Sequence, residues 1–331
     1  MAAAAAAQTA GVPAAASATE PPFLSVVAPV YFEQEVIGHF LAAVTAVLAR
    51  TGWSYEIVLV DDGSTDRTVA LIREAIAADS HIRLVEFSYN HGKAAAMTAG
   101  LTYASGTRVL CMDPDLQDPP ECIPEFVAKL DEGYDVVLSV REAKAGGPID
   151  RLLSAIFWTS LRSLTRLDLP PGLGTMRIFN RHFVEQFLRY PEANRFLEGL
   201  LVHVGMRRTQ IVVPHRARFA GQTKFNLRRR FALASSAITD FSEIPLRLAT
   251  RVGLAVTAVG LFAMLAIVFV KLFIHDFQLG WPSLFCLLIT GFGVNLLFLG
   301  IIGTYVGKIY REVKGRPLFS IRGLHNLEPR P

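Results

Sequence analysis

From Leu24 to about Val140 the chain alternates short apolar runs with stretches of helical spacing. Leu24-Ser25-Val26-Val27-Ala28-Pro29, Glu56-Ile57-Val58-Leu59-Val60 and Arg108-Val109-Leu110-Cys111-Met112 read as strands buried on both faces. Between them, Gly38 to Arg50 and Thr68 to Ala78 carry Val, Leu and Ile at helical spacing, with Thr65 or Asp66 as N-cap of the second. Asn90-His91-Gly92-Lys93 opens another helix, and Tyr134 to Val140 is a further strand. Beyond the Gly-rich hinge Ala145-Gly146-Gly147-Pro148, the pattern predicts a helix from about Ile149 to Leu164 and a loop at Pro170 to Gly174. A helix from about Arg181 to Arg189 and a last strand at Thr209 to Val213 follow.

Each of the first three apolar runs ends in polar residues: Val30-Tyr31-Phe32-Glu33, Asp61-Asp62-Gly63-Ser64-Thr65-Asp66 and Asp113-Pro114-Asp115. Strands alternating with helices predict an open, largely parallel α/β sheet, whose ligands lie at the carboxyl ends of its strands. The site is therefore expected where the three ends meet. In an extended segment, residues two apart point to the same side, so Asp113 and Asp115 are expected to converge on one cation. A hard ion such as Mg²⁺ takes one or two carboxylates and shares its remaining positions with substrate phosphates. Alone, such a pair is more often a solvated turn; the neighbouring strand ends change that reading.

The C-terminal third has a different pattern. Val252 to Val270 is an uncharged apolar run of 19 residues, and Trp281 to Gly307 is a second. Each suffices to cross a hydrocarbon core of about 30 Å at about 1.5 Å per residue. The excess behind the 51% hydrophobic content and the mean hydropathy of +0.35 is concentrated in them. A transmembrane hairpin is predicted. Arg247 and Arg251 precede it and Lys308, Arg311, Lys314 and Arg316 follow it, whereas the connecting loop from about Phe273 to Gly280 carries no Lys or Arg. Both ends are thus expected in the cytoplasm, with Lys271 snorkelling at the outer edge. Asn226 to Thr250 alternates apolar and basic residues as interfacial helices do.

The domain expectation is an Ala-rich disordered leader (1–22), a cytosolic catalytic domain (23–225) and interfacial helices (226–250). A hairpin (251–307, spans about 252–273 and 281–305) and a cytosolic tail (308–331) complete it. The leader lacks the basic and apolar regions of a signal peptide. A formal net charge of +4, without a basic patch interleaved with aromatics, gives no case for nucleic acid. Cys111, Cys122 and Cys286 have neither metal-ligand nor disulfide spacing.

The order and spacing of VAPVYFEQE, EIVLVDDGSTD, YNHGKAAAMTAG, MDPDLQDPPE, GTMRIF and RFAGQTKF, then the hairpin and GIIGTYVGKIYREVKGRPLF, resemble glycosyltransferase family 2. Within it the chain looks most like the membrane-anchored polyprenyl-phosphate sugar transferases. The resemblance implies a GT-A fold and inverting transfer of one sugar from a nucleotide donor to a lipid phosphate. It implies that Pro29, Tyr31 and Glu33 line the nucleoside pocket and that Asp62, with Asp61, accepts a hydrogen bond from base or ribose. Phe32 stands where relatives usually carry Asn. Lys93, after a glycine at a helix start, suits a diphosphate. Asp113, Asp115 and the amide oxygen of Gln117 would hold Mg²⁺ or Mn²⁺; Asp118 reads as a cap or loop residue. Arg141 and Arg177 match arginines near the phosphates, and Arg218 and Lys224 match a pair on a loop near the membrane. His215 adds at most a weak assistance.

Thr175-Met176-Arg177 lacks the carboxylate that several relatives carry before the equivalent dipeptide. A phosphate monoester, with a second pKa of about 6, is already largely dianionic at neutral pH and needs no base. Family frequency makes UDP-glucose the lead donor, and relatives suggest a homo-oligomer, a tetramer in the first instance. A processive polysaccharide synthase is disfavoured by the absence of a Q-x-x-R-W motif. A non-catalytic lipid-binding partner of a flippase finds support only at Phe32 and Thr175. No G-x-G-x-x-G follows the first strand, against a dinucleotide oxidoreductase.

Overall fold

A computed structural model of the chain describes residues 20–141, 170, 172–190, 192, 197–214, 244–273 and 280–330. The leader to residue 19, the expected helix at 149–164, the 226–243 stretch, His215, Arg218 and Lys224 lie outside the described residues.

The described strands are β1 (Leu24–Val30), β2 (Tyr55–Asp61), β3 (Ile82–Phe87), β4 (Arg108–Cys111), β5 (Val136–Arg141), β6 (Leu173–Asn180), β7 (Arg208–Val213) and β8 (Ile321–His325). They form one sheet in the order β7-β5-β6-β4-β1-β2-β3-β8. β4, β1, β2 and β3 are parallel neighbours, as are β5 and β7, whereas β6 and β8 pair antiparallel with theirs. The helices are α1 (Ile37–Thr51), α2 (Thr68–Ala78), α3 (Lys93–Tyr103), α4 (Ile123–Asp131), α5 (Arg181–Leu188), α6 (Leu197–His203), α7 (Ile244–Phe273) and α8 (Trp281–Val313).

The apolar runs form central strands because both of their faces are covered. Val26 and Ala28 of β1, with Ile57 and Leu59 of β2, pack under Phe40, Leu41, Val44 and Leu48 of α1. The alternate residues Val27, Val58 and Val60 pack against Ala96, Ala99 and Leu101 of α3 on the opposite face. Alanines and Gly100 let α3 lie close to β1; a Cβ at Gly100 would collide with the side chain of Val27.

At the amino end of the sheet the buried Glu56 carboxylate accepts from Ser25 Oγ at 2.5 Å and from Ser105 N–H at 2.5 Å, and pairs with Arg83. This knot ties β1, β2, β3 and the approach to β4 together at the end remote from the expected site. It leaves the carboxyl ends free to carry chemistry.

Several boundaries depart from the sequence expectation. G-T-M-R-I-F lies within β6, inserted antiparallel between β4 and β5. β4 stops at Cys111, so Asp113 and Asp115 lie in a turn, not in an extended strand, and Leu116 just beyond adopts φ 55°. The two-residue alternation that was expected to aim both carboxylates the same way does not apply there. The residue before α2 is Arg67; Asp66 Oδ1 instead accepts the Thr68 N–H at 3.1 Å. The tail contains β8, which closes the sheet beyond β3.

α7 spans 30 residues and α8 spans 33. α7 starts inside the stretch expected to be interfacial, and α8 continues past the apolar run through Lys308 and Arg311. Leu254, Phe262, Leu287 and Phe292 are exposed along them. Among the described residues Gly291–Val313 is long and apolar enough to cross a membrane.

Candidate active site at the carboxyl rim of the sheet

The antiparallel insertion of β6 gathers the chemistry on one rim. Arg177 of β6 lies opposite Cys111, the last residue of β4, and Val140 of β5 lies opposite Leu173 at the start of β6. Read across the sheet, the rim carries Arg141 (β5), Thr175 and Arg177 (β6), Asp113 and Asp115 (after β4), Tyr31 and Glu33 (after β1) and Asp61 and Asp62 (β2). His91, Gly92 and Lys93 (after β3) complete it. Five strand spacings of about 4.8 Å make the rim about 24 Å long.

After β1, Phe32 adopts φ 55°, which costs a bulky residue on the order of 1 kcal/mol. Ser64 Oγ accepts the Phe32 N–H and Thr68 Oγ1 accepts the Glu33 N–H, both at 3.0 Å, so the β2–α2 loop holds the turn. The Tyr31 and Phe32 rings lie 4.4 Å apart, both partly exposed. Pro29 sits half-buried in β1 opposite Val60.

Asp61 and Asp62 behave differently from one another. Asp62 accepts the N–H of His91 at 2.7 Å and that of Gly92 at 2.9 Å, and Asn90 donates to its carbonyl at 3.3 Å. Both Asp62 oxygens thus hold the turn that starts α3, a structural role beside the expected base or ribose contact. Asp61 Oδ2 accepts the Ser64 N–H at 2.9 Å, while its buried Oδ1 has no hydrogen-bond partner among the described residues. Burial raises the pKa of both, offset at Asp62 by the backbone N–H groups it accepts; Glu86 beside Asp61 raises Asp61 further. Gly63 is at φ +77°, where a Cβ would come 2.5 Å from the Tyr89 carbonyl carbon, so the two loops need glycine to approach.

An acid whose folded pKa is raised stabilises the fold below its unfolded value, and that contribution is lost as pH rises through the folded value. Asp61→Asn is therefore expected to raise the melting temperature at pH 7 by about 3 °C, for about 1 kcal/mol. It should also flatten the loss of stability between pH 4 and 8. Thermal melts across that range check both effects. A lower melting temperature would show that the charge supports the fold.

Lys93 opens α3 after Gly92 at φ 94°. Its Nζ lies 2.6 Å and 2.7 Å from the two Asp113 oxygens, and it is about half exposed. Asp115 is almost fully buried, and its Oδ1 accepts the backbone N–H of Gln117 at 3.2 Å. Gln117 therefore meets Asp115 through its main chain. Asp118, expected to be a cap or loop residue, is buried and accepts Thr175 Oγ1 at 2.8 Å and the Met176 N–H at 2.9 Å. It fastens the acidic turn to β6, and its sequence gave no sign of that partner.

Arg177 is 4% exposed. Its Nε donates to the Thr175 carbonyl at 3.2 Å, and Nη2 lies 3.5 Å from Glu198 of α6. Arg141 ends β5, and its buried Nε has no partner among the described residues. Burial pushes the Cys111 thiol up to about 12, so it stays protonated and is no nucleophile.

Among the described residues no three His, Cys, Asp or Glu side chains gather as a ligand cluster. The side chains that could hold a divalent ion are the Asp113 and Asp115 carboxylates. It fits a hard cation: both Asp113 oxygens already face a cationic group, the Lys93 ammonium, at a half-exposed position.

A mostly parallel sheet with carboxylates after β2 and β4 and antiparallel β6 inserted between β4 and β5 is the GT-A architecture of nucleotide-sugar enzymes. Residues 25–188 match Glycosyl transferase family 2. The chain is 36% identical over 305 residues to the uncharacterized glycosyltransferase YkcC of Bacillus subtilis, covering 92% of this chain and 94% of that one. It is 34% identical over 308 residues to the SfII prophage-derived bactoprenol glucosyl transferase of Shigella flexneri, covering 92% and 99%. Identity is 34% over 307 residues to an undecaprenyl-phosphate 4-deoxy-4-formamido-L-arabinose transferase of Salmonella paratyphi A, covering 90% and 92%. The chain belongs to glycosyltransferase family 2.

Proposed function

We propose that the chain transfers a single sugar, with inversion, from a nucleotide-sugar to a polyprenyl phosphate, with UDP-glucose as the lead donor. The observation that carries this reading is the sidedness of the rim. Asp61, Asp62 and the exposed Tyr31 and Phe32 lie on one side of the acidic turn, and the partly buried Arg141 and the buried Arg177 lie on the other. A nucleoside fits the first side and a second phosphate fits the second. The Shigella and Salmonella relatives, matched over nine-tenths of this chain, are named for bactoprenol and undecaprenyl phosphate.

In this reading the buried Asp61 Oδ1, without a partner among the described residues, accepts a hydrogen bond from the nucleoside, and the Asp62 clamp holds Lys93 at the diphosphate. A Mg²⁺ or Mn²⁺ ion held by Asp113 and Asp115, with the Gln117 amide oxygen, would neutralise charge developing on the departing diphosphate. Arg141 and Arg177 orient the acceptor phosphate, joined by Arg218 and Lys224. Arginine suits this because its planar fork binds two phosphate oxygens at once. A phosphate oxygen attacks the anomeric carbon from the face opposite the leaving group, and the bond to the diphosphate breaks with its electron pair leaving on oxygen. The dianionic nucleophile carries no proton to be removed, so alignment and charge supply the acceleration.

The exposed apolar lengths of α7 and α8 support a membrane hairpin, the basic residues flanking it favour a catalytic domain on the cytoplasmic face, and a homo-oligomer would bury more of that surface. The test uses purified full-length protein, polyprenyl phosphate and a panel of radiolabelled UDP- and GDP-sugars, counting label entering the organic phase. UDP-glucose is expected to give label, EDTA to abolish it, and added Mg²⁺ or Mn²⁺ to restore it. Nucleotide binding without label from any donor would overturn the catalytic reading.

A further inference from the structure

We infer that the C-terminal strand is a positioning element of the donor site, acting through a hydrogen bond from the Ser320 backbone to the His91 ring. The inference rests on the donor-side reading of Asp62 and Lys93 given above.

β8 pairs antiparallel with β3, Leu84 opposite His325 and Val85 opposite Leu324, with an irregularity at Glu86/Phe87. Toward the catalytic rim the contact continues beyond the ladder. Ser88 N–H donates to the Ser320 carbonyl at 2.9 Å. Phe319 stacks on Phe87 with ring centroids 5.1 Å apart and planes 10° apart. Arg322 donates to the Ser88 carbonyl at 3.1 Å. Finally, Ser320 N–H donates to His91 Nε2 at 3.1 Å. A backbone N–H can only donate, so this bond requires a bare Nε2 on His91 and places the neutral ring's proton on Nδ1.

His91 therefore faces two ways. Its ring is held by the tail, and its own N–H is one of those gripping Asp62, at 2.7 Å. Gly92, the next residue, makes the second grip, and Lys93 reaches Asp113. One short turn thus connects β8, the donor-side carboxylate and the acidic turn. With the tail removed, the ring end of His91 loses its acceptor role, and the turn that aims Lys93 is fixed only from the Asp62 side.

The tail is also a tether of limited reach. Residues 314–320 join the end of α8 to β8, and seven extended residues cover at most about 25 Å. A docked β8 therefore limits how far the donor turn can lie from the end of the helix that carries Lys308 and Arg311. A strand that merely covered the free edge of β3 would change stability without changing donor affinity.

The experiment compares His91→Phe, His91→Gln, Ser320→Pro and the His91→Phe/Ser320→Pro double variant in the full chain. UDP and GDP, each with Mg²⁺, are titrated by calorimetry, and amide exchange is followed at residues 89–93 and 319–325. His91→Phe keeps the ring contacts but has no acceptor. His91→Gln places a carbonyl oxygen within reach of the same N–H. Ser320→Pro removes the N–H donor and keeps the carbonyl that accepts from Ser88. His91→Phe and Ser320→Pro are each expected to weaken nucleotide binding about tenfold, the size of one intramolecular hydrogen bond. The double variant should be no worse than either single one, because both remove the same interaction. His91→Gln should bind within about twofold of the unaltered protein, and exchange at 89–93 should accelerate in the Phe and Pro variants only. Unchanged nucleotide affinity in both His91→Phe and Ser320→Pro would overturn the tail's role. Failure of the unaltered protein to bind either nucleotide would instead overturn the donor-site reading.

Discussion

Asp115→Asn is expected to lower the turnover of sugar transfer by at least about 10³-fold while leaving the protein folded. The substitution keeps the shape of the side chain and an oxygen in the place of Oδ1, so the Gln117 N–H, 3.2 Å away, retains its acceptor. What disappears is a negative charge in a nearly water-free turn, where charge interactions are strong. That charge is the feature a hard cation requires, and it stands beside Asp113, whose own carboxylate is shared with Lys93. The neighbouring substitution Asp113→Asn also frees the Lys93 ammonium, which mixes two effects, so Asp115 is the cleaner probe. The measurement is label entering the organic phase at saturating donor, with thermal melts to confirm folding. Metal-free nucleotide binding should be unchanged. Near-normal transfer in Asp115→Asn would sink the assignment of a metal to this turn.

The same turn shows how far the chemistry was legible in the sequence and where legibility ended. Apolar runs ending in Asp-Asp-Gly and Asp-x-Asp locate the rim because central parallel strands must be apolar along their whole length, and their ends are where polar residues resume. The run Arg108 to Met112 predicts β4 to within one residue. The aim of the two carboxylates was not legible, since it depended on the strand continuing past Cys111. The antiparallel β6 was hidden for a related reason: its middle residue is a buried arginine, which breaks the apolar pattern and owes its place to Glu198 and the Thr175 carbonyl.

Long-range partners were the least visible. Asp118 and Thr175 are far apart in sequence, yet their side chains meet at 2.8 Å. Thr175 thus stands where a carboxylate is missing from the chain but present in space. Asp118 supplies it from the acidic turn and spends it on holding β6. β8 has a single strongly apolar pair, Ile321 and Leu324, and its partner strand lies at the other end of the chain. No local periodicity announces such a pairing, because the stabilisation comes from covering an edge formed by other residues.

The second large effect is expected at Arg177. Arg177→Lys should lower kcat/KM for the lipid acceptor by about 10²-fold and leave the donor KM unchanged. Lysine keeps the charge but not the planar fork. Its single ammonium cannot donate to the Thr175 carbonyl from Nε and present two parallel N–H groups to a phosphate at the same time. Arg177→Met, which removes the charge as well, should cost about 10³-fold. Stability should suffer less than the near-complete burial of Arg177 suggests. Glu198, its ionic partner, is one-third exposed and can return to water, so no buried charge is stranded. Steady-state kinetics with donor and acceptor varied independently separates the outcomes. A rise in donor KM with acceptor KM unchanged would move Arg177 to the donor diphosphate. The second phosphate would then rest on Arg141, whose buried Nε has no protein partner among the described residues. The two arginines are adjacent along the rim but sit on different strands, so the kinetic split distinguishes them where sequence spacing could not.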